Sequence, residues 1–127
     1  MLPEPYRLHH HSDFSRTVRH GHRAGRRDLV VHVYGRTASG DASNPLFTGD
    51  GPRFGLIVGK GVGGAVVRHR VARQLRHVCH PLTDAVSPEF DVVVRALPGA
   101  ATATSSELSR QLHGCLRKLK LLADGES

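Results

Sequence analysis

At 127 residues the chain is long enough for one hydrophobic core and too short to divide comfortably into two domains. Lys and Arg total 18 against 11 Asp and Glu, a formal charge of +7, and the ten histidines add to it wherever an acid or a phosphate sits nearby, so a polyanionic partner is expected. No run approaches the length of a membrane span and "MLPEPYRLHHH" lacks the apolar centre of a signal peptide, so the expectation is a soluble, cytoplasmic protein with no membrane partner.

In chain order, "HSDFSRTVRHG" predicts a short helix in which Ser12 caps the start, Phe14 and Val18 share a face, and Gly21 ends it. Arg16, Arg19, Arg23, Arg26 and Arg27 make this region and its exit strongly basic. "DLVVHVYG" predicts a strand, with Leu29, Val31 and Val33 on one face and Val30, His32 and Tyr34 on the other. Residues 37–52, rich in Gly, Ser, Asp and Pro, predict a mobile loop leading to a second strand, "PRFGLIVGK". A helix follows over 66–82, then a turn from Pro81 to Pro88 and a third strand, "FDVVVRAL", whose nearly unbroken apolar run places it centrally. "PGAATATS" reads as a loop. The last helix opens on a capping box of Thr104 and Glu107 and buries Leu108, Leu112, Cys115, Leu116, Leu119 and Leu122. Cys79 and Cys115 both lie in apolar stripes, where a free thiol acts as a small hydrophobe. The predicted fold class is therefore α+β, one domain over 1–127, in the order α-β-β-α-β-α.

The stretch "GKGVGGAVVRHRVARQLRH", residues 59–77, admits two readings. Gly59, Gly61 and Gly64 satisfy the G-x-G-x-x-G spacing between a strand and a helix, as a dinucleotide loop does. That fingerprint also needs an acid for the ribose at the end of the next strand, and Arg95 stands there. No Gly-Lys-Ser/Thr closes the glycine run, so a nucleoside-triphosphate loop is excluded. Projected at about 100° per residue, Val67, Val71, Leu75, Val78, Cys79 and Leu82 fall on one side of the helix. His69, Arg73, Arg76 and His80 fall on the other, flanked by Arg70 and His77, with Arg68 near the apolar edge. No acid occurs between Lys60 and Thr83. A solvated helix face normally mixes signs through i,i+4 pairs, so this one is suited to phosphates.

These residues resemble the signature of the bacterial ribonuclease P protein family. The central "RFGLIVGKGVGGAVVRHRVARQLRH" is similar to its strand, lysine-glycine turn and Arg-Asn-Arg helix, and the likeness extends over residues 7 to 122. The resemblance implies an α-β sandwich of a ribosomal-protein type with a left-handed crossover, in place of the usual right-handed one. It also implies a catalytic RNA partner that removes the 5′ leader from precursor transfer RNA using Mg²⁺ held mainly by that RNA, with no protein nucleophile and no protein metal site. Carried over by position, Lys60, Arg68, His69, Arg70, Arg73 and Arg76 match the contact to ribonuclease P RNA, while Phe14, Arg16, His32 and Arg53 match the leader cleft. The chain departs from the pattern at His69 (for Asn), Gly61 (for Lys), Ala72 (for a basic residue), and Val18 and His32 (for aromatics). A base stacks poorly on valine, so docking on the RNA subunit is the firmer implication.

The rival class is a stand-alone nucleic-acid module, ribosomal or DNA-binding. The basic side offers only Arg and His, with no Asn or Gln among them to read base edges, so phosphate contact is favoured and no DNA partner is expected. Candidate acid–base residues Asp84, Glu89 and Asp91 read as lying in or beside a turn, and residues 9–11 and the His20/His22 pair as surface histidines.

Overall fold

The computed structural model describes residues 7–35 and 52–121. The predicted loop over 37–52, apart from Pro52, lies outside the described residues, as does Leu122. The elements are α1 (His11–His20), β1 (His22–Gly25), β2 (Leu29–Gly35), β3 (Arg53–Ile57), α2 (Ala65–Cys79), β4 (Phe90–Ala96) and α3 (Ser105–Lys118). One-turn 3₁₀ segments at His80–Asp84 and Pro98–Ala101 join the later elements, the second within what the sequence read as plain loop.

The sheet order is β1-β2-β4-β3, with β3 parallel to β4 and the other pairs antiparallel. A parallel pair needs a crossover connection, and α2 supplies it between β3 and β4. The central position of β4 explains its composition: Val92, Val93 and Val94 are fully buried because both faces of the strand are covered. Leu29, Val31, Val33, Phe54, Val92, Val94 and Ala96 point to one face and form the core with Val71, Leu75 and Val78 of α2 and Leu108, Leu112 and Leu116 of α3. The opposite face, bearing His32, Tyr34, Arg53, Asp91 and Val93, carries α1.

Three expectations change. β1 adds a fourth strand to the predicted three; in "HRAG" only Ala24 points inward, and the charged remainder suits an exposed edge. The start of α1 is His10 rather than Ser12: the His10 carbonyl accepts from Asp13 and Phe14, and no side chain caps the helix. The chain enters pinned to β3 by Leu8 N–H donating to Phe54 O at 2.9 Å, and the cap falls two residues earlier than expected. Finally, α2 stops at Cys79, and Leu82 is buried from the 3₁₀ turn instead. The capping box on α3 is formed as expected, Glu107 N–H donating to Thr104 Oγ1 (3.1 Å) and Thr104 N–H to Glu107 Oε1 (2.8 Å). Those bonds from Thr104 also hold the Glu107 carboxyl below its ordinary range.

Candidate nucleic-acid interface

The outer side of α2 is laid out as its periodicity predicts. Val71, Leu75, Val78 and Cys79 are buried, while His69, Arg70, Arg73, His77 and His80 are exposed and Arg76 is half-buried. Among the described residues none of the α2 arginines enters a salt bridge. Arg70 donates from Nη2 to the carbonyl of Ala101, which fixes the side chain without neutralising it. Arg68 is half-buried like Arg76 but differs in that its Nε is enclosed with no partner among the described residues.

At the start of α2 the cap is Gly64, with no side-chain cap and no acid in the first turn, so the positive end of the helix dipole is uncompensated. Lys60 is exposed in the turn just before it, and Val66 beside it is 83% exposed. The glycines here do not behave as a dinucleotide fingerprint. A Cβ on Gly59, Gly61 or Gly64 would meet nothing within 4 Å. The glycine the fold requires is Gly63, outside the fingerprint, at φ 158° with an ideal Cβ 2.9 Å from Val67 Cγ1.

The second set of predicted residues gathers across the sheet, between α1 and the strands. The Phe14 ring packs against Gly55, where an ideal Cβ would sit 2.4 Å from Cζ; only glycine lets α1 come so close. Arg53 and Arg16 are brought together, but with two acids. Arg53 grips Asp91 in a fork, Nε to Oδ1 at 2.9 Å and Nη2 to Oδ2 at 2.8 Å, and its Nη1 lies 3.3 Å from Asp13 Oδ2. Burial works against the Arg53 charge, yet the bonds and charge of Asp91 and Asp13 outweigh it and raise its pKa. Arg16 donates to Asp13 Oδ1 at 2.9 Å and stacks over the Tyr34 ring at 4.9 Å. Asp91 stands in the strand expected of it, β4, but it is no candidate acid or base: it is fully buried and held by Arg53. Asp13, Asp91 and Tyr34 are the site residues that the sequence reading left out. For Asp91 and its partner Tyr34 the signal was alternation, since residues 91, 93 and 95 must face away from the core that 92, 94 and 96 enter.

His32 is corrected most. Expected as a cleft imidazole open to a base or a phosphate, it is 2% exposed, and neither ring nitrogen has a partner among the described residues. Burial first, then Arg95 and Arg23, push its pKa below the ordinary 6.5. The unfolded chain therefore binds a proton near pH 6.5 that the folded chain refuses, and stability falls as pH drops below that value toward the folded pKa. His32→Phe is expected to raise stability by about 1–2 kcal/mol at pH 7 by removing two unsatisfied polar atoms. It is also expected to lessen the loss between pH 7 and pH 5; urea midpoints of both proteins at the two pH values check this.

Neither thiol is poised for chemistry. Burial pushes Cys79 up to about 12, and raises Cys115 despite the nearby charges of Arg26 and Lys118. The carboxylates fit magnesium poorly. Asp91 spends both oxygens on Arg53, Asp13 faces two guanidinium groups, and no cluster of three ligating side chains occurs among the described residues. No helix among them is long and apolar enough to cross a membrane.

A mixed sheet, with an unneutralised basic helix on one face and an Arg-Asp cleft on the other, defines a small RNA-binding domain of the α+β class. Comparison with known proteins agrees. The sequence model of the family described as Ribonuclease P matches residues 2–120. The ribonuclease P protein component of Rhodococcus erythropolis is 61% identical over 122 residues, covering 96% of this chain and 94% of the relative. That of Nocardia farcinica is 59% identical over 136 residues, covering 98% and 87%. Among solved structures, the Staphylococcus aureus RNase P protein superposes with a TM-score of 0.76 at 24% identity, covering 94% of this chain and 99% of the other. The Thermotoga maritima protein gives 0.67 at 22% identity, covering 94% and 100%. The chain belongs to the ribonuclease P protein family.

Proposed function

We propose that this chain docks on the RNA of ribonuclease P through Lys60, Arg68, His69, Arg70, Arg73 and Arg76. On the same reading it holds the 5′ leader of precursor transfer RNA between α1 and the sheet, at Phe14, Arg16 and Arg53. The RNA performs the hydrolysis. The observation that carries the proposal is the outer side of α2, where exposed arginines have no salt bridge among the described residues while the inner side is locked into the core. Like charges so placed repel one another, and phosphates relieve that repulsion. On the leader side His32 is a buried support rather than a contact, so stacking falls to Phe14 and Tyr34 and charge to Arg16 and Arg53. Asp91 holds Arg53 from below. Asp13, partly exposed, is the acid that a leader phosphate displaces.

Magnesium belongs to the RNA partner on this reading, because the two carboxylates between α1 and the sheet, Asp13 and Asp91, are occupied by arginine. Reconstitution tests the whole proposal. The purified chain mixed with ribonuclease P RNA at low Mg²⁺ is expected to raise the cleavage of precursor transfer RNA. No stimulation, with binding to duplex DNA intact, moves the assignment to a stand-alone nucleic-acid module.

A further inference from the structure

We infer that the outer side of α3, with the turn between β1 and β2, is a second surface for nucleic-acid backbone, and that its occupant is a further segment of the same RNA on which α2 docks. The inference rests on the docking role of α2.

Arg110, Gly114 and Arg117 recur at i, i+4 and i+7, so they lie along one side of α3 over about 10 Å. Arg26, from the turn, is laid across the middle of that row. An ideal Cβ on Gly114 would sit 3.3 Å from both Nε and Nη2 of Arg26, so glycine forms the saddle that seats the guanidinium. Arg26 Nη1 donates to Gly25 O at 2.9 Å, which orients the group and leaves its charge intact. Lys118 adds a further cation close by, since its charge and that of Arg26 both act on the Cys115 thiol.

The acids on this side are already committed. Glu107 is tied to Thr104 and lies 3.6 Å from Arg27, and buried Asp28 accepts from Gln111 Nε2 at 2.8 Å. Arg26, Arg110, Arg117 and Lys118 enter no salt bridge among the described residues. The dipole of α3 accounts for cations in its last turn, Arg117 and Lys118. Arg110, in the second turn, acts on the Glu107 carboxyl that Arg27 already shares; neither the dipole nor that acid accounts for Arg26, drawn in from another element onto the Gly114 saddle. Neutralisation by phosphates does.

Placement selects the occupant. α2 and α3 are neighbours on one face of the sheet, joined by Gln74 Nε2 donating to Ser105 Oγ at 3.3 Å and by Arg70 on Ala101. An RNA lying on α2 continues onto α3 without crossing the sheet, whereas the leader cleft is on the other face.

The test compares four proteins: the full chain, the triple variant R26A/R110A/R117A, the charge-retaining R26K/R110K/R117K, and the α2 arginine variant R70A/R73A/R76A. Their affinity for ribonuclease P RNA alone is measured from 0.05 to 0.5 M salt. The alanine variant is expected to bind at least tenfold more weakly at 0.15 M and to flatten the log–log salt slope by about two, at 0.7–0.9 per phosphate contact. The lysine variant is expected to keep the slope, and a urea midpoint within error of the parent excludes a folding lesion. An unchanged slope in the alanine variant, with the α2 arginine variant still impaired, overturns this inference alone. An unchanged slope in both R26A/R110A/R117A and the α2 arginine variant removes the docking role of α2 instead. Loss confined to the preference of the assembled enzyme for leader-bearing over mature transfer RNA also overturns the inference, because it assigns the surface to the substrate.

Discussion

Alanine at Arg70, Arg73 and Arg76 together is expected to weaken binding to ribonuclease P RNA about a hundredfold at 0.15 M salt. The estimate follows from counterion release: three phosphate contacts at 0.7–0.9 of slope each come to about 2–3 in the log–log salt plot. The difference between parent and variant should shrink toward 1 M salt, where counterion release contributes nothing. A folding defect behaves otherwise, lowering affinity at every salt concentration. The substitutions should leave stability within about 0.5 kcal/mol of the parent, because Arg73 is exposed and the three side chains stabilise nothing through acids. Arg70 does lose its bond to the Ala101 carbonyl. That bond ties α2 to the 3₁₀ turn before α3, so any small loss of stability should come from Arg70→Ala and not from the other two. Titration of labelled RNA over a salt series, with urea midpoints alongside, separates these contributions.

How far such a face is legible in a sequence depends on how local its causes are. The two sides of α2 follow from a 3.6-residue period, and the capping box on α3 from a four-residue pattern. The central place of β4 follows from its unbroken valines. Each is decided within a single element. β1 is different: "HRAG" has no strand character of its own and is a strand because the edge of β2 offers it a ladder, His22 against Val33 and Ala24 against Val31. The entry into α1 was misplaced for a similar reason, since Leu8 is tethered to Phe54, 46 positions away (54 − 8). Between α1 and the sheet, Phe14, Arg16 and Arg53 are legible as individuals, but their charge balance is not. Asp91 lies 38 positions from Arg53, and only the register of β3 against β4 sets them opposite each other. His32 looked available because alternation says which face a side chain takes, and nothing about whether a helix later covers that face. Local rules therefore revealed the basic side of α2 almost whole, and the residues between α1 and the sheet as a list without their geometry.

The Arg53–Asp91 pair supplies the second large effect. Asp91→Ala is expected to destabilise the fold by about 3 kcal/mol, the low end for breaking a buried ion pair, since Asp13 remains beside Arg53 and the Arg53 side chain keeps 25% of its exposure. For a domain of this size that moves the urea midpoint by roughly 1–3 M. Asp91 is wholly enclosed, so what the alanine leaves behind is a half-buried Arg53 guanidinium without its forked partner, while Arg16, 3.8 Å from Asp91, keeps Asp13; removing the Arg53 guanidinium should undo most of the damage. The double variant R53L/D91L is accordingly expected to return to within about 1 kcal/mol of the parent. That recovery separates scaffold from site. If Arg53 serves only to anchor β3 against β4, the double variant assembles an enzyme that still prefers leader-bearing over mature transfer RNA. If Arg53 carries leader phosphate, the fold returns and the preference does not. The proposed leader role requires the second outcome. Asp91 would then be the residue that holds Arg53 extended under α1, a buried acid retained for the position it imposes rather than for the stability it adds.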